Sequence, residues 1–371
     1  MRLSHALIDI ANLKSNFLNI RGKVKTARIM AIVKADAYGH GAIEIVKTLN
    51  SLPEKPEYYG VAIIEEGIEL RRNNVDQPIL VFDSVIENDP ELYFQYDLIS
   101  TVFNDKHLSI LKKANCVDGK KNKVHVKVDT GMHRLGIDYR EAFEFVKKLS
   151  RNKSFTIDGI YTHLANSNEE DKSYARIQLN RFKSILEKLK AEGIKYGLAH
   201  AANSGAILDI PDAYFDMVRP GLLLYGYYPS EVSSESIKVK PVMSLISYIE
   251  SIKQIDKNES ISYGRNYFTK KKTNIISVPI GYADGYNRGL SNKAKAVING
   301  KLFPQVGTVT MDRIMFEIGN ETLKIGDEVI LLGKDKQSGL EFSAWDWCKI
   351  VNTIPYEVMC GISKRIPRIY K

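Results

Sequence analysis

A lysine closes an apolar run near the start of the chain, in the segment AIVKADAYGHG. Lys34 is followed by a short polar set, and Gly39 and Gly41 free the backbone there. A lysine at the end of a buried strand points into an apolar pocket, where burial disfavours the charged ammonium and leaves a neutral amine. Such an amine attacks carbonyl carbons. The alternative is a surface lysine at a strand end, and spacing alone leaves both interpretations open.

Other polar side chains also follow apolar runs. Arg134, in KVDTGMHRLG, can hold a carboxylate through two parallel hydrogen bonds, and an ion pair with Asp129 is the alternative. A single strand-end histidine is more often structural than catalytic, but several such residues after consecutive strands favour a functional site. The remaining members are Lys127, Thr130, His163 in YTHLANSN, His200, Asn203 and Ser204 in AHAANS, and Arg219 and Gly221 in VRPGLLLYG.

The last two of these segments suit a phosphate group. Ser204 begins a short stretch with helical character, and the backbone N–H groups at a helix start favour an anion. The sequence has no G-x-G-x-x-G or Walker segment, so a dinucleotide or a nucleoside triphosphate is not indicated.

These residues need strands that bring them to one edge. The first two-thirds of the chain alternate apolar runs with helix-period stretches, such as 173–192, where Ile177, Phe182, Ile185 and Leu189 mark one face. Eight strand–helix units in about 225 residues predict a parallel (β/α)8 barrel, with functional residues after the strand ends, and a doubly wound sheet is the competitor. The predicted strands are 28–33, 58–63, 78–82, 98–102, 124–128, 157–161, 196–199 and 215–218.

The pattern changes near residue 240, where β-rich runs replace long helical periods. Asn299-Gly300 predicts a hairpin turn between two of these runs. We therefore predict a barrel domain at 1–237 and a mostly β domain at 238–371. The β-rich runs are 244–252, 273–278, 294–298 and 327–332.

Composition narrows the class of protein. Of 371 residues, 44% are hydrophobic and 26% charged, which is typical of a soluble globular protein. The formal charge of +9 is spread along the chain, which favours solvated surface lysines over a nucleic-acid site. The widely spaced cysteines Cys116, Cys348 and Cys360 exclude a disulfide scaffold or a zinc ribbon, and no metal site is predicted.

The cysteine pattern suits a reducing compartment. Asp9 interrupts the first apolar stretch, which argues against a signal peptide. No run approaches the length of about 18 apolar residues that a membrane-spanning helix needs. We therefore expect a cytoplasmic protein that contacts no membrane and no nucleic acid.

AIVKADAYGHG resembles the motif whose lysine binds pyridoxal 5'-phosphate in alanine racemases. The resemblance covers nearly the whole chain, and nine blocks in the family's order are far more specific than one. It implies a (β/α)8 barrel followed by a β domain, in a homodimer with shared active sites. It also implies interconversion of L-alanine and D-alanine, which supplies peptidoglycan. The other blocks are VKVDTGMHRLGI, YTHLANS, HAANSGA, MVRPGLLLYG, SYGRNY, IGYADGYNR, VGTVTMD and IPYEVMCGISKRIPRIY.

The resemblance also implies roles for the matching residues. Lys34 corresponds to the cofactor-binding lysine and one catalytic base, and Tyr263 to a second base from the other subunit. Two bases suit racemisation, because the α-proton leaves one face and returns to the other. Arg219 corresponds to the partner of the pyridine nitrogen. Among the others, His163 lies beside the ring, His200 supports Arg219, and the phosphate contacts are Tyr38, Ser204, Gly221, Leu222 and Tyr356.

Further matching residues concern the substrate. Arg134 and the backbone at Met311 correspond to the groups that hold its carboxylate. Lys127 matches a lysine that many members carry as a carbamate, which would hold Arg134 in place. Tyr282 resembles an entrance residue, and Asp312 is a supporting residue. Thr310 replaces a common cysteine and Asn168 a common aspartate, and both departures concern access to the site rather than the reaction.

Three alternatives stay open at this stage. A racemase of broader specificity would share the fold, although Tyr38 and Tyr356 crowd the side-chain pocket in the family picture and favour alanine. A decarboxylase is weaker, because Arg219 is the wrong partner for the pyridine nitrogen. A non-catalytic protein that binds pyridoxal phosphate would need only the barrel, and the second domain with Tyr263 argues against it.

Overall fold

The computed structural model describes residues 3–114 and 121–371, so Cys116 lies outside the described residues. Within these ranges, no helix has the length and apolar character needed to cross a membrane. The chain forms two compact units. The barrel unit comprises Leu13–Ala37 and Ala42–Lys240, and the β unit comprises Met1–Asn12, Tyr38–Gly41 and Pro241–Lys371.

The strands and helices are numbered in chain order. The strands are β1 (His5–Ile8), β2 (Arg28–Ile32), β3 (Tyr58–Val61), β4 (Ile79–Ser84), β5 (Leu98–Val102), β6 (Asn122–Asp129), β7 (Ile137–Asp138), β8 (Phe155–Tyr161), β9 (Leu198–His200), β10 (Met217–Val218), β11 (Met243–Tyr248), β12 (Ser251–Ile255), β13 (Thr273–Val278), β14 (Lys295–Ile298), β15 (Lys301–Val306), β16 (Ile314–Gly319), β17 (Glu328–Lys334), β18 (Glu341–Phe342) and β19 (Arg368–Tyr370). The helices are α1 (Ile10–Val24), α2 (Lys34–Gly39), α3 (Ala42–Asn50), α4 (Ile64–Arg72), α5 (Pro90–Gln95), α6 (Asp105–Leu111), α7 (Ala142–Ser150), α8 (Ser173–Ala191), α9 (Ser204–Asp209), α10 (Ala344–Val351) and α11 (Pro355–Gly361).

The barrel unit contains a closed parallel sheet. Its strands follow the order β5-β4-β3-β2-β10-β9-β8-β6, and β6 also pairs with β5. This closure confirms the predicted (β/α)8 barrel and excludes the doubly wound sheet, which has open edges. Helices cover the outside of the barrel and the neighbouring strands enclose its inside, so side chains on both faces of β2 are buried. Ile29, Met30 and Ala31 are fully buried.

Helix α8 shows where the predicted apolar face was right and where it was wrong. Phe182, Ile185 and Leu189 are buried as predicted. Ile177 is 47% exposed, because positions three or four residues apart share a helix face and Ile177 lies one residue away from that row. Gln178 occupies the buried position instead, and its side chain bonds the His163 carbonyl oxygen and the Ala165 N–H.

The β unit is built on a largely antiparallel sheet. Its strands follow the order β12-β13-β16-β15-β14-β17-β11-β1-β19, so the first strand of the chain lies between β11 and β19. The predicted hairpin is confirmed: Ile298 of β14 pairs with Lys301 of β15. Both turn residues have positive φ, 46° at Asn299 and 73° at Gly300, which the Asn-Gly pair tolerates.

A pair of matched substitutions tests the assignment of the α8 face. Ile185→Ala should lower the free energy of unfolding by about 2–5 kcal/mol, because it removes a buried side chain and leaves a cavity. Ile177→Ala, in the same helix, should change it by about 0.5 kcal/mol or less. Urea denaturation of both variants measures the difference. Equal losses would show that α8 packs with a different face.

Candidate active site

Lys34 follows β2 at the start of a turn with an unusual backbone. Residues 35–38 have φ between 52° and 55°, so the helix Lys34–Gly39 is left-handed. This hand costs about 1–2 kcal/mol per residue for ordinary amino acids, so other groups must hold it. The Glu66 carboxylate accepts the Ala35 N–H at 2.6 Å and the Ala62 N–H at 2.7 Å. Glu66 therefore ties the segment after Lys34 to the end of the neighbouring strand β3.

Gly39 ends the left-handed turn and is required by close packing within the β unit. Its φ is 80°, and a Cβ atom there would lie 2.5 Å from the Met359 carbonyl oxygen. Arg368 donates to the Gly39 carbonyl at 2.9 Å. These contacts explain the glycine in the sequence motif more directly than backbone freedom alone.

Four cationic side chains interact at the strand ends of the barrel unit. Lys127 lies in β6 and is 7% exposed. Burial and, after it, the charges of Arg134, Arg219 and Lys34 together lower the pKa of Lys127 to about 8, while the charge of Asp129 opposes them. A cluster of cations in which one carboxylate opposes the others attracts anionic ligands.

Asp129 has a structural role in the loop that carries Arg134. Its Oδ1 atom accepts the backbone N–H groups of Gly131 and Met132 at 2.9 Å and that of His133 at 3.1 Å. The carboxylate therefore organises the turn, and within the described residues it forms no ion pair with Arg134. Arg134 itself is exposed.

Arg219 follows β10 and is only 4% exposed. Its Nη2 donates to the carbonyl oxygens of Thr162 at 2.8 Å and Ala201 at 3.0 Å, and to His163 Nδ1 at 3.2 Å. Its Nη1 donates to His200 Nδ1 at 2.8 Å. Burial lowers the pKa of Arg219 to about 10, so the side chain is still a cation at neutral pH.

The two histidines bound to Arg219 are neutral. Burial holds the pKa of His163 and of His200 well below the ordinary value, and the charge of Arg219 lowers both further. Each can therefore accept a hydrogen bond from the guanidinium. Tyr161 stacks on His200 with ring planes 7° apart and centroids 4.9 Å apart, which fixes the orientation of that ring.

The phosphate-type donors lie after β9 and β10. Ser204 begins α9 as predicted, and the Asn203 side chain caps this helix by accepting the Ala206 N–H at 3.1 Å. The buried Ser204 hydroxyl accepts the Gly221 N–H at 3.0 Å. Gly221 precedes the short 3-10 helix Leu222–Tyr225, so hydroxyl and amide donors meet at one place.

Tyr38 and Tyr356 pack together in the β unit, with ring centroids 5.7 Å apart. Burial raises the pKa of Tyr356 to about 12 and raises the pKa of Tyr38 further. Both hydroxyls therefore stay protonated at neutral pH and can donate to an anion. The sequence placed these residues far apart, 38 and 356, and only the resemblance grouped them.

Tyr263 has an exposed side chain, 76% accessible, which is the highest exposure among the large hydrophobic side chains of the described residues. It lines a cleft of about 630 Å³ in the β unit together with Thr310 and Arg313. The Thr308 hydroxyl donates to the Tyr263 carbonyl at 2.8 Å and fixes the backbone. The phenol is thus held on an ordered support while its ring faces outward.

The remaining predicted residues of the β unit lie on one loop system. The carbonyl oxygens of Thr310 and Met311 accept the N–H groups of Tyr282 and Ala283 at 3.0 and 3.1 Å. Asp312 pairs with Arg365 at 2.7 Å. Met311 and Tyr282 are 52% and 43% exposed, so both present side chains to solvent from a tied backbone.

Sequence reasoning missed Glu66, His125 and Asp158. His125 and Lys127 are two residues apart in β6, so they share a face of the strand, and that alternation was a usable signal. Asp158 interrupts the apolar strand β8, which was a second signal. No local pattern indicates that Glu66 binds Ala35, because that contact depends on the pairing of β2 with β3.

Comparison with protein families gives two matches that together span the chain. The model described as "Alanine racemase, N-terminal domain" matches residues 8–229, and "Alanine racemase, C-terminal domain" matches residues 242–370. The alanine racemase of Clostridium novyi (strain NT) is 41% identical over 369 residues, covering 98% of this chain and 94% of that protein. The alanine racemase of Clostridium perfringens (strain ATCC 13124) is 42% identical, covering 99% and 95%.

Solved structures give the same result. The alanine racemase of Clostridium difficile 630 superposes with a TM-score of 0.92 at 38% identity, covering 99% of this chain and 95% of that one. The alanine racemase of Bacillus anthracis with bound L-Ala-P superposes with a TM-score of 0.90 at 33% identity, covering 100% and 95%.

Substitution of Glu66 tests whether its carboxylate holds the left-handed turn. Glu66→Ala should lower the free energy of unfolding by about 1.5–3 kcal/mol, because charge-assisted hydrogen bonds to the Ala35 and Ala62 N–H groups are lost. Glu65→Ala, at the exposed neighbouring position, is the control and should change it by about 0.5 kcal/mol or less. Urea denaturation gives both values. Matching small effects would mean that the turn does not depend on Glu66.

Proposed function

The chain belongs to the alanine racemase family, and from this premise we propose that Lys34 and Tyr263 move the α-proton of alanine on opposite faces of the substrate. The protein is a pyridoxal 5'-phosphate-dependent amino-acid racemase that interconverts L-alanine and D-alanine. D-alanine made in this way is used for peptidoglycan, the general role of the family. The observation that carries the proposal is the cluster of Lys34 with Lys127, Arg134 and Arg219.

The residues of the site fit pyridoxal 5'-phosphate. Lys34 has the amine that would hold the carbonyl carbon of the cofactor. Ser204 and the backbone N–H groups at Gly221 and Leu222 are donors suited to its phosphate, and Tyr38 and Tyr356 would complete the set. When bound, the cofactor withdraws electrons from the substrate and makes the α-proton acidic.

Two bases are needed because one group does not reach both faces of the substrate easily. We assign Lys34 to the face of the α-proton of D-alanine, and Tyr263 to the face of the α-proton of L-alanine. Each base would take the proton on its own side while the other returns one. The ordered backbone at Tyr263, fixed by Thr308, supports a role that requires a defined position for the phenol.

Arg134 is assigned to the carboxylate of the substrate, together with the backbone N–H of Met311. The assignment of Arg134 is supported by its exposed guanidinium and by the commitment of Asp129 to the backbone of the loop. Lys127 would hold Arg134 in place once carbamylated. A pKa of about 8 supports this, because a neutral amine is the form that reacts with carbon dioxide.

Arg219 is assigned to the pyridine nitrogen. A guanidinium has hydrogen-bond donors and no acceptor, so Arg219 cannot take up a proton from that nitrogen. His163, which Arg219 binds at 3.2 Å, is assigned to the position beside the ring, and His200 to the support of Arg219. Tyr282 is assigned to the entrance, and Asp312 is assigned as a supporting residue.

We propose a homodimer in which Tyr263 completes the active site of the partner subunit. The exposure of this side chain supports the proposal, because a buried partner surface would account for an aromatic ring that is otherwise solvated. The domain boundaries 1–237 and 238–371 stay predictions, and so does the cytoplasmic location, which rests on the sparse cysteines of the sequence.

Lys34→Ala tests the proposed function. The wild-type protein, incubated with L-alanine in heavy water and pyridoxal phosphate, should form D-alanine with deuterium at the α-carbon. Lys34→Ala should lose nearly all of this exchange and also lose the borohydride-reducible link to the cofactor. Mass spectrometry and chiral chromatography measure both. An amine product would indicate a decarboxylase, no exchange by the wild type a non-catalytic binding protein, and a retained link another lysine.

Mixing two inactive variants tests the shared site. Lys34→Ala and Tyr263→Phe each lack one base, but a mixed dimer would contain one site with both Lys34 and Tyr263. Recovery of part of the racemase activity after subunit exchange is therefore expected. A mixture of Lys34→Ala with the double variant is the matched control and should stay inactive. Absence of recovery, with exchange demonstrated by native mass spectrometry, would place both bases in one chain.

A further inference from the structure

A chain of hydrogen bonds leads from Arg219 into the barrel, beyond the two histidines assigned above. Arg219 Nη1 lies 2.8 Å from His200 Nδ1, and His200 Nε2 lies 2.9 Å from His125 Nδ1. His125 Nε2 in turn lies 3.2 Å from the Asp158 carboxylate. The four side chains come from β6, β8, β9 and the segment after β10, so the closed barrel assembles them.

The direction of every bond in this chain is determined by its ends. A guanidinium only donates, so His200 Nδ1 must accept. A neutral His200 then carries its proton on Nε2 and donates to His125 Nδ1. His125 therefore carries its proton on Nε2 and donates to Asp158, which as a carboxylate only accepts. The donor-only and acceptor-only ends agree, so one tautomer of each histidine satisfies all three bonds.

The histidines are neutral, as this arrangement requires. Burial lowers the pKa of His125, and burial and the charge of Arg219 hold that of His200 well below its ordinary value. Burial acts to raise the pKa of Asp158, but the hydrogen bond and charge of His125 bring it below the usual range. Asp158 is thus a carboxylate at neutral pH, and its side chain is 28% exposed while that of His125 is buried.

The barrel is shaped to accommodate the His125 ring. Gly159 pairs with His125 across β6 and β8, and a Cβ atom at Gly159 would lie 2.6–2.8 Å from three atoms of the imidazole. Tyr58 also donates to Asp158, at 3.2 Å. A glycine in the middle of a strand weakens it, so the space for the ring is maintained at some cost to the sheet.

We propose that His125 and Asp158 are positioning residues, which hold His200 as the neutral acceptor of Arg219 and so fix the guanidinium that faces the cofactor. Hydrogen bonds in series polarise one another, so the Asp158 carboxylate, acting through His125, strengthens the hydrogen bond between His200 and Arg219. Asp158 also supplies a negative charge to a buried cation whose four hydrogen-bond partners in the described chain include no carboxylate. The effect on the reaction rests on the role proposed above for Arg219.

The tautomers can be measured without reference to activity. Nitrogen NMR of histidine-labelled protein, with and without pyridoxal phosphate, should show His125 and His200 neutral and protonated on Nε2 at neutral pH. A coupling across the bond between His200 Nε2 and His125 Nδ1 should be detectable. The chain has seven histidines, and His125→Gln and His200→Gln assign the two signals. A proton on Nδ1 of either ring, or an imidazolium, would overturn the proposal.

Kinetics of the holoenzyme test the functional part. Asp158→Ala should lower kcat for racemisation about 10-fold, as loss of an outer partner of a functional histidine does. KM should change less than about two-fold, because the residues assigned to hold the substrate are not part of this series of hydrogen bonds. Asp158→Asn keeps an acceptor oxygen and should recover most of kcat.

Tyr58→Phe is the matched control, because it removes the other hydrogen bond to the same carboxylate and leaves the histidine chain intact. It should keep wild-type kcat. Equal losses in Tyr58→Phe and Asp158→Ala, or no loss in Asp158→Ala, would overturn the positioning role. If Asp158→Ala does not fold, the NMR result on the wild type and the kcat of Asp158→Asn decide. Failure of wild-type racemisation counts against the proposed function alone, since the tautomers are measured separately.

Discussion

Burial of the Arg219 guanidinium constrains the ends of several strands of the barrel at once. A charge taken out of water costs several kcal/mol unless hydrogen bonds replace its hydration. Two carbonyl oxygens and two imidazole nitrogens do so here, and they come from the last residue of β9 and from the segments that follow β8 and β9. The ends of these strands must therefore stay in register with the residue after β10, which is why a single side chain couples three strands.

The requirement that a buried charge be compensated also explains the balance of charge at the site. Arg219, Lys127 and Arg134 carry positive charge near one another, and burial and mutual repulsion both act to lower the pKa of Lys127. Such an arrangement is unfavourable in the empty protein and becomes favourable when anions bind. A phosphate and a carboxylate are the two anions that a cofactor-dependent amino-acid racemase must hold. The repulsion among the cations thus lowers the stability of the protein without ligands and adds to its affinity for anions.

Sequence reasoning reached the fold, and it named residues of the candidate site on grounds that differ between residues. Lys34 and Arg219 stand at strand ends, where position in a parallel barrel follows from chain order, so local patterns were sufficient. Ile177 was placed on the wrong face of α8, because an apolar residue type was given more weight than helical spacing. Glu66 and Asp158 act through contacts with segments distant in the sequence, and such contacts form only when neighbouring strands pair. The pairing of Tyr38 with Tyr356 depends on distant parts of the chain and came from the resemblance alone.

In the role proposed for Arg219, an arginine would limit the chemistry that the site supports. A carboxylate facing a pyridine nitrogen holds a proton there and favours long-lived carbanions, which transamination and decarboxylation use. A guanidinium has no acceptor for that proton, so in the role proposed for Arg219 it would weaken the electron demand at the substrate and disfavour those side reactions. This restraint lasts only while Arg219 stays cationic and fixed in direction. His163 and His200 are neutral, so neither replaces Arg219 as the cation. Each also accepts a hydrogen bond from the guanidinium, and that bond would be lost if the plane of the guanidinium turned.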